Sequence, residues 1–208
     1  MKIERAVTGM VGTNLYLVSN EETKEAVIID PAYFPDFLKQ HIENKGLKVK
    51  AILLTHAHFD HIMGIDQIIE TYGSMPVYVE ESDYELLSNA DLNCAKMFGT
   101  DYTYAGGDVI HDGDILDLIG YQFRVIHTPG HTQGGVCYYV ESEKVLFSGD
   151  TLFNCSVGRT DFPTSSASAL NQSIKEKLFV LPDDTQVHPG HMDETTIGFE
   201  KENNPFII

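Results

Sequence analysis

The sequence of 208 residues predicts a layered α/β fold in which at least some strands pair in parallel. Two observations lead to this prediction. Between residues 25 and 79, short apolar runs typical of strands alternate with stretches whose apolar residues recur at helical spacing. Polar clusters containing glycine and proline then follow several of the apolar runs, as expected for loops at the ends of strands. A helix between consecutive strands favours parallel pairing.

The first half of the chain predicts three strands followed by alternating helices and strands. The three strands lie within residues 3–7, 15–18 and 25–29, separated by glycine and polar turns. Helical spacing with a glycine stop predicts a helix over Pro35–Lys45 and another that ends at Tyr72. A further helix is predicted over Glu80–Ser88, and strands are predicted over Val49–Leu54 and Pro76–Val79.

The second half is richer in strands. They are predicted over Asp108–Ile110, Ile115–Leu118, Tyr121–His127, Val136–Val140, Val145–Phe147 and Gln186–His188, with helices over Ser165–Leu178 and Glu194–Glu202. Residues 89–107 are irregular and predict either a surface crossing packed by its own side chains, the favoured reading, or a lid or wall of a site. Because there is no low-complexity linker, residues 1–208 are expected to form a single domain.

The stretch Thr55–His61 carries three histidines and an aspartate within six positions, directly after an apolar run. One such histidine alone would more often be a surface residue or a hydrogen-bonded core residue than a ligand. Burying four ionisable side chains together without a cation is costly, however, and imidazole and carboxylate are good ligands for zinc, iron and manganese. The cluster, which contains His56, His58, Asp60 and His61, therefore predicts a metal site on a strand-to-helix turn.

Further polar residues follow other predicted strands. They are Asp30, His131, Asp150, His188 and His191. Loops at strand ends converge in layered α/β folds, so some of these side chains are expected to join the cluster. Two roles are equally compatible with the position of Asp30: a turn residue before Pro31, or a residue that supports a metal ligand.

Composition excludes several classes of function. The formal net charge of −17 is a poor match for nucleic acid, whose binding requires basic residues. No apolar run is long enough to cross a membrane, and Met1–Arg5 lacks the apolar core of a signal peptide. Three widely spaced cysteines favour the reducing cytoplasm over a disulfide framework. Cys137 and Cys155 are interpreted as small buried residues, and His111 and His127 as structural.

The ordered set His-x-His-x-Asp-His, His131, Asp150 and His191 resembles the metallo-β-lactamase superfamily. The resemblance covers nearly the whole chain and implies a four-layer αββα sandwich of two mixed sheets flanked by helices. It also implies two divalent metal ions, with zinc the first expectation and iron or manganese the alternatives. The resemblance assigns His56, His58 and His131 to the first ion, assigns Asp60, His61 and His191 to the second, and makes Asp150 the bridge.

Such a pair of cations, about 3.5–4 Å apart, can share a hydroxide that attacks a carbonyl, and no serine or cysteine nucleophile is then required. Within this mechanism the resemblance gives Asp60 and Asp150 catalytic importance, since one completes the second metal position and the other joins the two.

Two segments resemble the glyoxalase II-like branch, whose members hydrolyse thioesters such as S-lactoylglutathione. They are Gly149–Phe153 followed by Val157–Phe162, which contains the sequence Gly-Arg-Thr-Asp-Phe, and His188–Gly198 followed by Glu202–Pro205. The resemblance implies a small-molecule thioester substrate, allows a homodimer, and places Arg159 where the branch meets the anionic glutathione moiety. A structural ion pair with Asp161 is the alternative role of Arg159. Full-length members carry an additional C-terminal helical domain that this sequence does not show, so the acyl carrier stays open.

The main alternative is a persulfide dioxygenase, which shares the fold and the Gly-Arg-Thr-Asp-Phe segment and in which one iron is held by the equivalents of His56, His131 and Asp150. The turn at His191 followed by Thr195-Thr196-Ile197-Gly198 fits the hydrolase branch better. A true β-lactamase fits less well, because Asp60, His61 and His191 form the hydrolase set. A binding protein that has lost its chemistry is disfavoured, because all seven ligand positions are present. His188 is unassigned and is expected either to support a ligand or to be structural.

Overall fold

The first six strands form one mixed sheet. The computed structural model describes residues 1–207. In their order across the sheet the strands are β1 (Lys2–Thr8), β2 (Thr13–Ser19), β3 (Glu25–Ile29), β4 (Lys48–Leu53), β5 (Val77–Glu80) and β6 (Asp108–Ile110). β1 to β3 pair antiparallel and β3 to β6 pair parallel. The carboxyl ends of β3 and β4 therefore lie side by side, and Asp30 and the histidine-rich cluster begin at the same edge.

The later strands form a second mixed sheet and a small hairpin. In chain order they are β7 (Ile115–Leu118), β8 (Tyr121–His127), β9 (Val136–Val140), β10 (Val145–Gly149), β11 (Leu152–Phe153), β12 (Ser156–Val157), β13 (Gln186–Pro189) and β14 (Thr195–Thr196). The sheet order is β14-β13-β10-β9-β8-β7, and β11 pairs only with β12. β10 pairs parallel with β13 and antiparallel with β9. β8 also pairs antiparallel with β9, so β8, β10 and β13 run in the same direction. The carboxyl ends of β8, β10 and β13 consequently reach one edge of this sheet.

Within residues 1–207, six short helices flank the sheets. They are α1 (Asp36–Lys45), α2 (Phe59–Ile62), α3 (Ile65–Tyr72), α4 (Tyr84–Leu87), α5 (Ala167–Ser173) and α6 (Ile197–Asn203). Single 3₁₀ turns lie at Glu81–Asp83, Lys96–Phe98 and Glu141–Glu143, and α5 runs on into a π turn at Ile174–Leu178. No helix within residues 1–207 combines the length and the apolar character that a membrane span requires.

Three apolar clusters separate four layers. Successive residues of a strand point to opposite faces of the sheet, so in β2 Leu15 and Leu17 face α1 and α3, whereas Tyr16 and Val18 face the second sheet. The far face of the second sheet packs against α5, for example through Leu170. Strands buried on both faces explain the continuous apolar runs of the sequence. The predicted αββα sandwich is confirmed.

Several element boundaries differ from the prediction. The helix after the cluster is interrupted at Gly64, whose N–H donates to Pro31 O at 2.6 Å; a Cβ at Gly64 would lie 2.7 Å from that oxygen. The helix predicted over Glu80–Ser88 is a 3₁₀ turn followed by the single turn α4. The hairpin of β11 and β12 and the strand β14 are too short to show a periodic pattern.

Candidate metal centre

The structure brings all seven predicted ligand residues together. Four lie on the turn from β4 into α2, while His131, Asp150 and His191 follow β8, β10 and β13. Six of the seven side chains are nine-tenths or more buried, and His191 is half-buried. Residues separated by more than a hundred positions therefore converge because three parallel strands end at one edge of the second sheet and β4 ends in the first.

A first group consists of His56, His58 and His131. One ring nitrogen of each lies within 4.8 Å of the others. His58 Nδ1 and His131 Nε2 are 2.9 Å apart, and His56 packs edge-on to both rings with centroids at 4.8 Å. Three imidazole nitrogens facing a common point form the kind of arrangement that binds a divalent cation.

A second group consists of Asp60, His61 and His191, again with ligand atoms within 4.8 Å. Asp150 contacts both groups. Its Oδ2 lies 3.5 Å from His131 Nε2 and 3.5 Å from His191 Nε2, and its Oδ1 lies 3.5 Å from His61 Nε2. The carboxylate of Asp150 thus stands between the two groups, as a bridging ligand must.

Hydrogen bonds on the outer side of the histidines determine which nitrogen faces the centre. His61 Nδ1 lies 3.0 Å from Asp30 Oδ2. Thr55 Oγ1 donates to Asp30 at 2.6 Å and so accepts from His56 Nδ1 at 3.2 Å. His131 Nδ1 donates to Arg159 O at 2.8 Å. These partners favour a proton on Nδ1 of His56 and His131, so that Nε2 of each presents a lone pair to the centre, and Asp30 orients the ring of His61.

Asp30 therefore supports the site. It ends β3 with φ of 51°, a left-handed conformation that aspartate tolerates better than most residues. Its carboxylate accepts hydrogen bonds from the backbone and side chain of Thr55 and faces His61. Of the two open readings of Asp30, the ligand-supporting one agrees with these contacts.

The inner atoms of the centre lack protein partners. Within residues 1–207, His56 Nε2, His61 Nε2 and Asp150 Oδ1 are buried and take part in no hydrogen bond. Leaving a buried polar atom unsatisfied costs about 1–3 kcal/mol. Atoms of this kind, all able to donate a lone pair and all pointing inward, fit divalent cations well. The residues present therefore suit the metal ions that the sequence predicts.

Charge and burial set the protonation of the centre. Burial, reinforced by neighbouring histidines, holds the pKa of His56 and of His58 well below the ordinary value, so both rings are neutral. Burial also acts against the charged form of His61, but Asp60, Asp30 and Asp150 outweigh it and raise its pKa to about 10. For Asp60, burial is outweighed by His61 and His191, and its pKa lies below the ordinary value. Without a metal, a protonated His61 would offset these carboxylates.

Asp83 is a residue of the centre that the sequence analysis missed. It is fully buried and accepts hydrogen bonds from Ala57 N at 3.1 Å, Thr132 Oγ1 at 2.7 Å and Gly134 N at 2.7 Å. Ala57 lies between two ligands and Thr132 follows His131, so Asp83 connects the two loops of the first group. Nothing in the acidic run Glu80–Asp83 distinguishes this aspartate, because its role depends on the distant loop.

A cavity of about 400 Å³ opens onto the centre. It is lined by Val11, His58, Phe59, Asp60, Cys94, Phe98, His131, Asp150, Phe153, Ser156, Val157, Arg159, Phe162, His191 and Met192. Cys94 and Phe98 belong to the irregular segment 89–107. The favoured reading of that segment as a mere surface crossing was therefore wrong, since it supplies part of the cavity wall. Burial raises the pKa of the Cys94 thiol to about 11, so the thiol is neutral.

Other predicted residues take different places. Arg159 lies at the edge of the cavity and forms a two-pronged ion pair with Asp161, with Nε at 2.9 Å and Nη2 at 2.7 Å. His188 Nδ1 contacts Glu194 at 3.2 Å and its ring stacks on Phe147, which agrees with a structural role. Cys137 is buried as expected.

The prediction that Cys155 is buried was wrong. It is exposed, because it occupies the tight turn between β11 and β12 with φ of 52°.

The fold and the seven-residue centre define a metallo-hydrolase class, and comparison with known families agrees. The model of the metallo-beta-lactamase superfamily matches residues 8–191. The chain belongs to this superfamily.

Individual relatives are similar to the chain over its whole length. It is 37% identical over 209 residues to the Bacillus subtilis (strain 168) protein named probable metallo-hydrolase YqgX, covering 100% of this chain and 98% of the relative. It is 36% identical over 210 residues to the hydroxyacylglutathione hydrolase GloC of Haemophilus influenzae (strain ATCC 51907 / DSM 11121 / KW20 / Rd), with coverages of 100% and 98%. The GloC relative is consistent with the glyoxalase II-like resemblance.

Two solved structures share the fold over almost their full length. BLEG-1, described as a B3 metallo-beta-lactamase, has a TM-score of 0.93 at 40% identity and covers 99% of both chains. TTHA1623 in a di-iron-bound form has a TM-score of 0.86 at 39% identity and covers 98% of this chain and 99% of its own.

Proposed function

We propose that the protein is a dinuclear metal-dependent hydrolase that cleaves a small-molecule thioester, of which S-lactoylglutathione is the model. The observation that carries the proposal is the pair of ligand groups, each with atoms within 4.8 Å, that meet at the carboxylate of Asp150. A mononuclear site would leave the second group, with its buried acid and two histidines, without a purpose.

Each group of residues has a defined task in this proposal. His56, His58 and His131 would hold one cation through neutral imidazoles, Asp60, His61 and His191 would hold the other, and Asp150 would be a ligand shared by both. When bound, two divalent cations activate a water molecule near neutral pH and polarise the carbonyl that it attacks. The chain itself orients the imidazoles through Asp30, Thr55 and the Arg159 carbonyl, and it supplies a cavity in which the thioester is partly shielded from water.

The carboxylate of Asp60 is held in place by neighbouring side chains. Thr13 Oγ1 donates to Asp60 Oδ2 at 2.8 Å, and His191 Nε2 lies 3.3 Å from the same oxygen. His61 Nε2 also lies 3.5 Å from this oxygen, so Thr13 fixes the carboxylate with Oδ2 facing both histidines of the second group. Together with Asp150, Asp60 keeps negative charge where the cations are needed.

Three observations support the finer parts of the proposal. The likeness to GloC supports hydroxyacylglutathione-type thioesters. The nitrogen and oxygen donor set suits zinc, which we place first, and the di-iron form of TTHA1623 supports iron as an alternative. Arg159 lies at the cavity edge with its side chain 62% exposed, where it can bind a carboxylate of the acyl carrier. A cytoplasmic location and a homodimer stay predictions.

The experiment is elemental analysis of protein purified without added metal, together with S-lactoylglutathione turnover. We expect about two metals per chain and thioester cleavage. His61→Ala should lose about one metal and most of the activity, while the matched control His111→Ala, at an exposed histidine, should change neither. One iron per chain with oxygen uptake on glutathione persulfide, and no thioester cleavage, would overturn the proposal in favour of the dioxygenase alternative.

A further inference from the structure

We infer that the cavity selects thioesters with an apolar acyl chain, and that the acyl chain lies against a wall formed by Phe59, Cys94, Phe98 and Phe162. This inference rests on the proposed function, because it names the acyl class that the same centre would cleave. It departs from the small hydroxylated lactoyl group used as the model substrate.

The first support is the composition of the cavity lining. Within residues 1–207, five of its seven polar side chains are proposed metal ligands, and the other two are Ser156 and Arg159. The remaining eight are apolar side chains or the neutral thiol of Cys94. A substrate hydroxyl or amide placed against such a lining loses its hydrogen bonds to water and gains few in return.

The second support is that the apolar wall is continuous and pre-formed. Phe59 and Cys94 are buried in one apolar cluster, and Phe162 packs against that cluster. The rings of Phe59 and Phe98 lie with centroids 4.9 Å apart at an angle of 30°. Phe98 is 36% exposed, so it offers surface that an acyl chain can cover. Phe59 and Cys94, each 2% exposed, support the wall from behind, and the surface open to an acyl chain is mainly that of Phe98 and Phe162, whose rings are held with little entropy left to lose.

The third support is the position of the wall relative to the centre. The ring of Phe162 lies edge-on to His58 and His131, with centroids at 5.4 and 5.9 Å. A thioester whose carbonyl lies over the ligands therefore has the phenyl rings within reach of its first few acyl carbons. The polar acyl carrier is directed outward, towards the only non-histidine cation that lines the described cavity, Arg159.

The geometry also explains why the carrier does not occupy the wall. Glutathione has peptide groups and carboxylates, and the described wall offers none of them a partner. The guanidinium of Arg159 stacks over Phe162 at 4.3 Å and is partly engaged by Asp161. It therefore stands at the boundary between the apolar wall and the cavity mouth, where one acidic group of the carrier can reach it.

The test is a matched series of acyl thioesters of glutathione, assayed on the metal-loaded protein. S-propanoylglutathione and S-lactoylglutathione differ only by the hydroxyl, and S-hexanoylglutathione extends the propanoyl chain by three methylenes. Each methylene buried on the wall should raise kcat/KM about fourfold. We expect the hexanoyl ester to exceed the propanoyl ester at least about tenfold, and the propanoyl ester to exceed the lactoyl ester.

Phe98→Ala should lower kcat/KM for the hexanoyl ester about tenfold and for the propanoyl ester much less. Phe37→Ala is the matched control, because Phe37 is 61% exposed on α1 and does not line the cavity. Equal losses with both esters would overturn the assignment of Phe98. If Phe98→Ala fails to fold, the acyl series on the unaltered protein still decides the inference.

Binding separates this inference from the proposed function. S-hexylglutathione and S-methylglutathione are thioethers that cannot be hydrolysed, and their affinities are measured by calorimetry. Tighter binding of the hexyl compound without cleavage of any thioester would overturn the proposed function and keep the apolar subsite. Cleavage with lactoyl preferred, or with no dependence on chain length, would overturn the subsite and keep the function.

Discussion

Replacing Asp83 by asparagine should change how stability depends on pH. Although three hydrogen bonds favour its charged form, burial and the nearby charge of Glu80 raise the pKa of Asp83 from 3.8 to about 6. The folded protein therefore holds this proton more tightly than the unfolded chain does. The stability gained from it is fully present below about pH 4 and is lost as the pH rises to about 6.

The magnitude follows from the same values. One pKa unit corresponds to about 1.4 kcal/mol, so the rise to about 6 corresponds to about 3 kcal/mol of unfolding free energy lost between acid and neutral pH. Asp83→Asn removes this ionisation. It also turns an amide N–H₂ towards a hydrogen-bond donor, either Gly134 N or the pair Ala57 N and Thr132 Oγ1, which costs about 1–3 kcal/mol. The variant should be less stable by about 1–3 kcal/mol at acid pH, and as stable as the unaltered protein or more stable near neutrality.

The assay is urea unfolding of both proteins, in the same metal-loaded state, at several values between about pH 4 and about pH 7. The unfolding free energy of the variant, taken relative to that of the unaltered protein, should rise by about 3 kcal/mol over this range. Contributions of the metal ligands are common to both proteins and cancel in the difference. Asp101→Asn, at an exposed carboxylate, reports the effect of losing one surface charge. Parallel pH curves for the Asp83 variant and the unaltered protein would refute the reasoning.

Three further outcomes are expected. Gly134→Ala should lower the unfolding free energy by about 1–3 kcal/mol, because the added methyl meets Asp83 Cβ at 2.7 Å; a thermal midpoint equal to that of the unaltered protein would contradict this. Asp60→Asn should reduce the metal content and lower thioester turnover at least about tenfold with the circular dichroism spectrum retained, and unchanged turnover would count against the dinuclear mechanism. Arg159→Ala should raise KM for anionic thioesters a few-fold at constant kcat; an unchanged KM would assign Arg159 to its pairing with Asp161 alone.

The sequence was sufficient to predict the layers and the ligands, for physical reasons. Strands buried on both faces must be apolar throughout, and β3 and β4 are easily seen for that reason. The ligands could be found because imidazoles and carboxylates placed after such strands are expensive to bury unless something binds them. The structure brings together every residue of the predicted set, although binding itself stays a proposal.

What the sequence could not predict depends on contacts between distant segments. In the sequence Asp83 belongs to an acidic run that is typical of a surface. Its burial and its role depend on the loop of Thr132, which packs against it. The interruption at Gly64 comes from the approach of Pro31 O, which has no local signal. The irregular segment 89–107 shows no periodicity, so only the position of Phe98 against Phe59 reveals it as a cavity wall.

The division of the proposed ligands between the two halves of the chain has a consequence for folding. His58 and His131 are 73 positions apart, and their facing nitrogens are separated by 2.9 Å. A cation held by both would act as a cross-link that closes this loop. A permanent cross-link of that span would raise the free energy of the unfolded chain by about 4 kcal/mol, because the chain loses conformational entropy. Neither half can assemble the centre alone, so metal would be captured late, after the two sheets have docked. The bound ions would then slow the separation of the halves, and metal content would govern how long the folded protein survives as well as how fast it works.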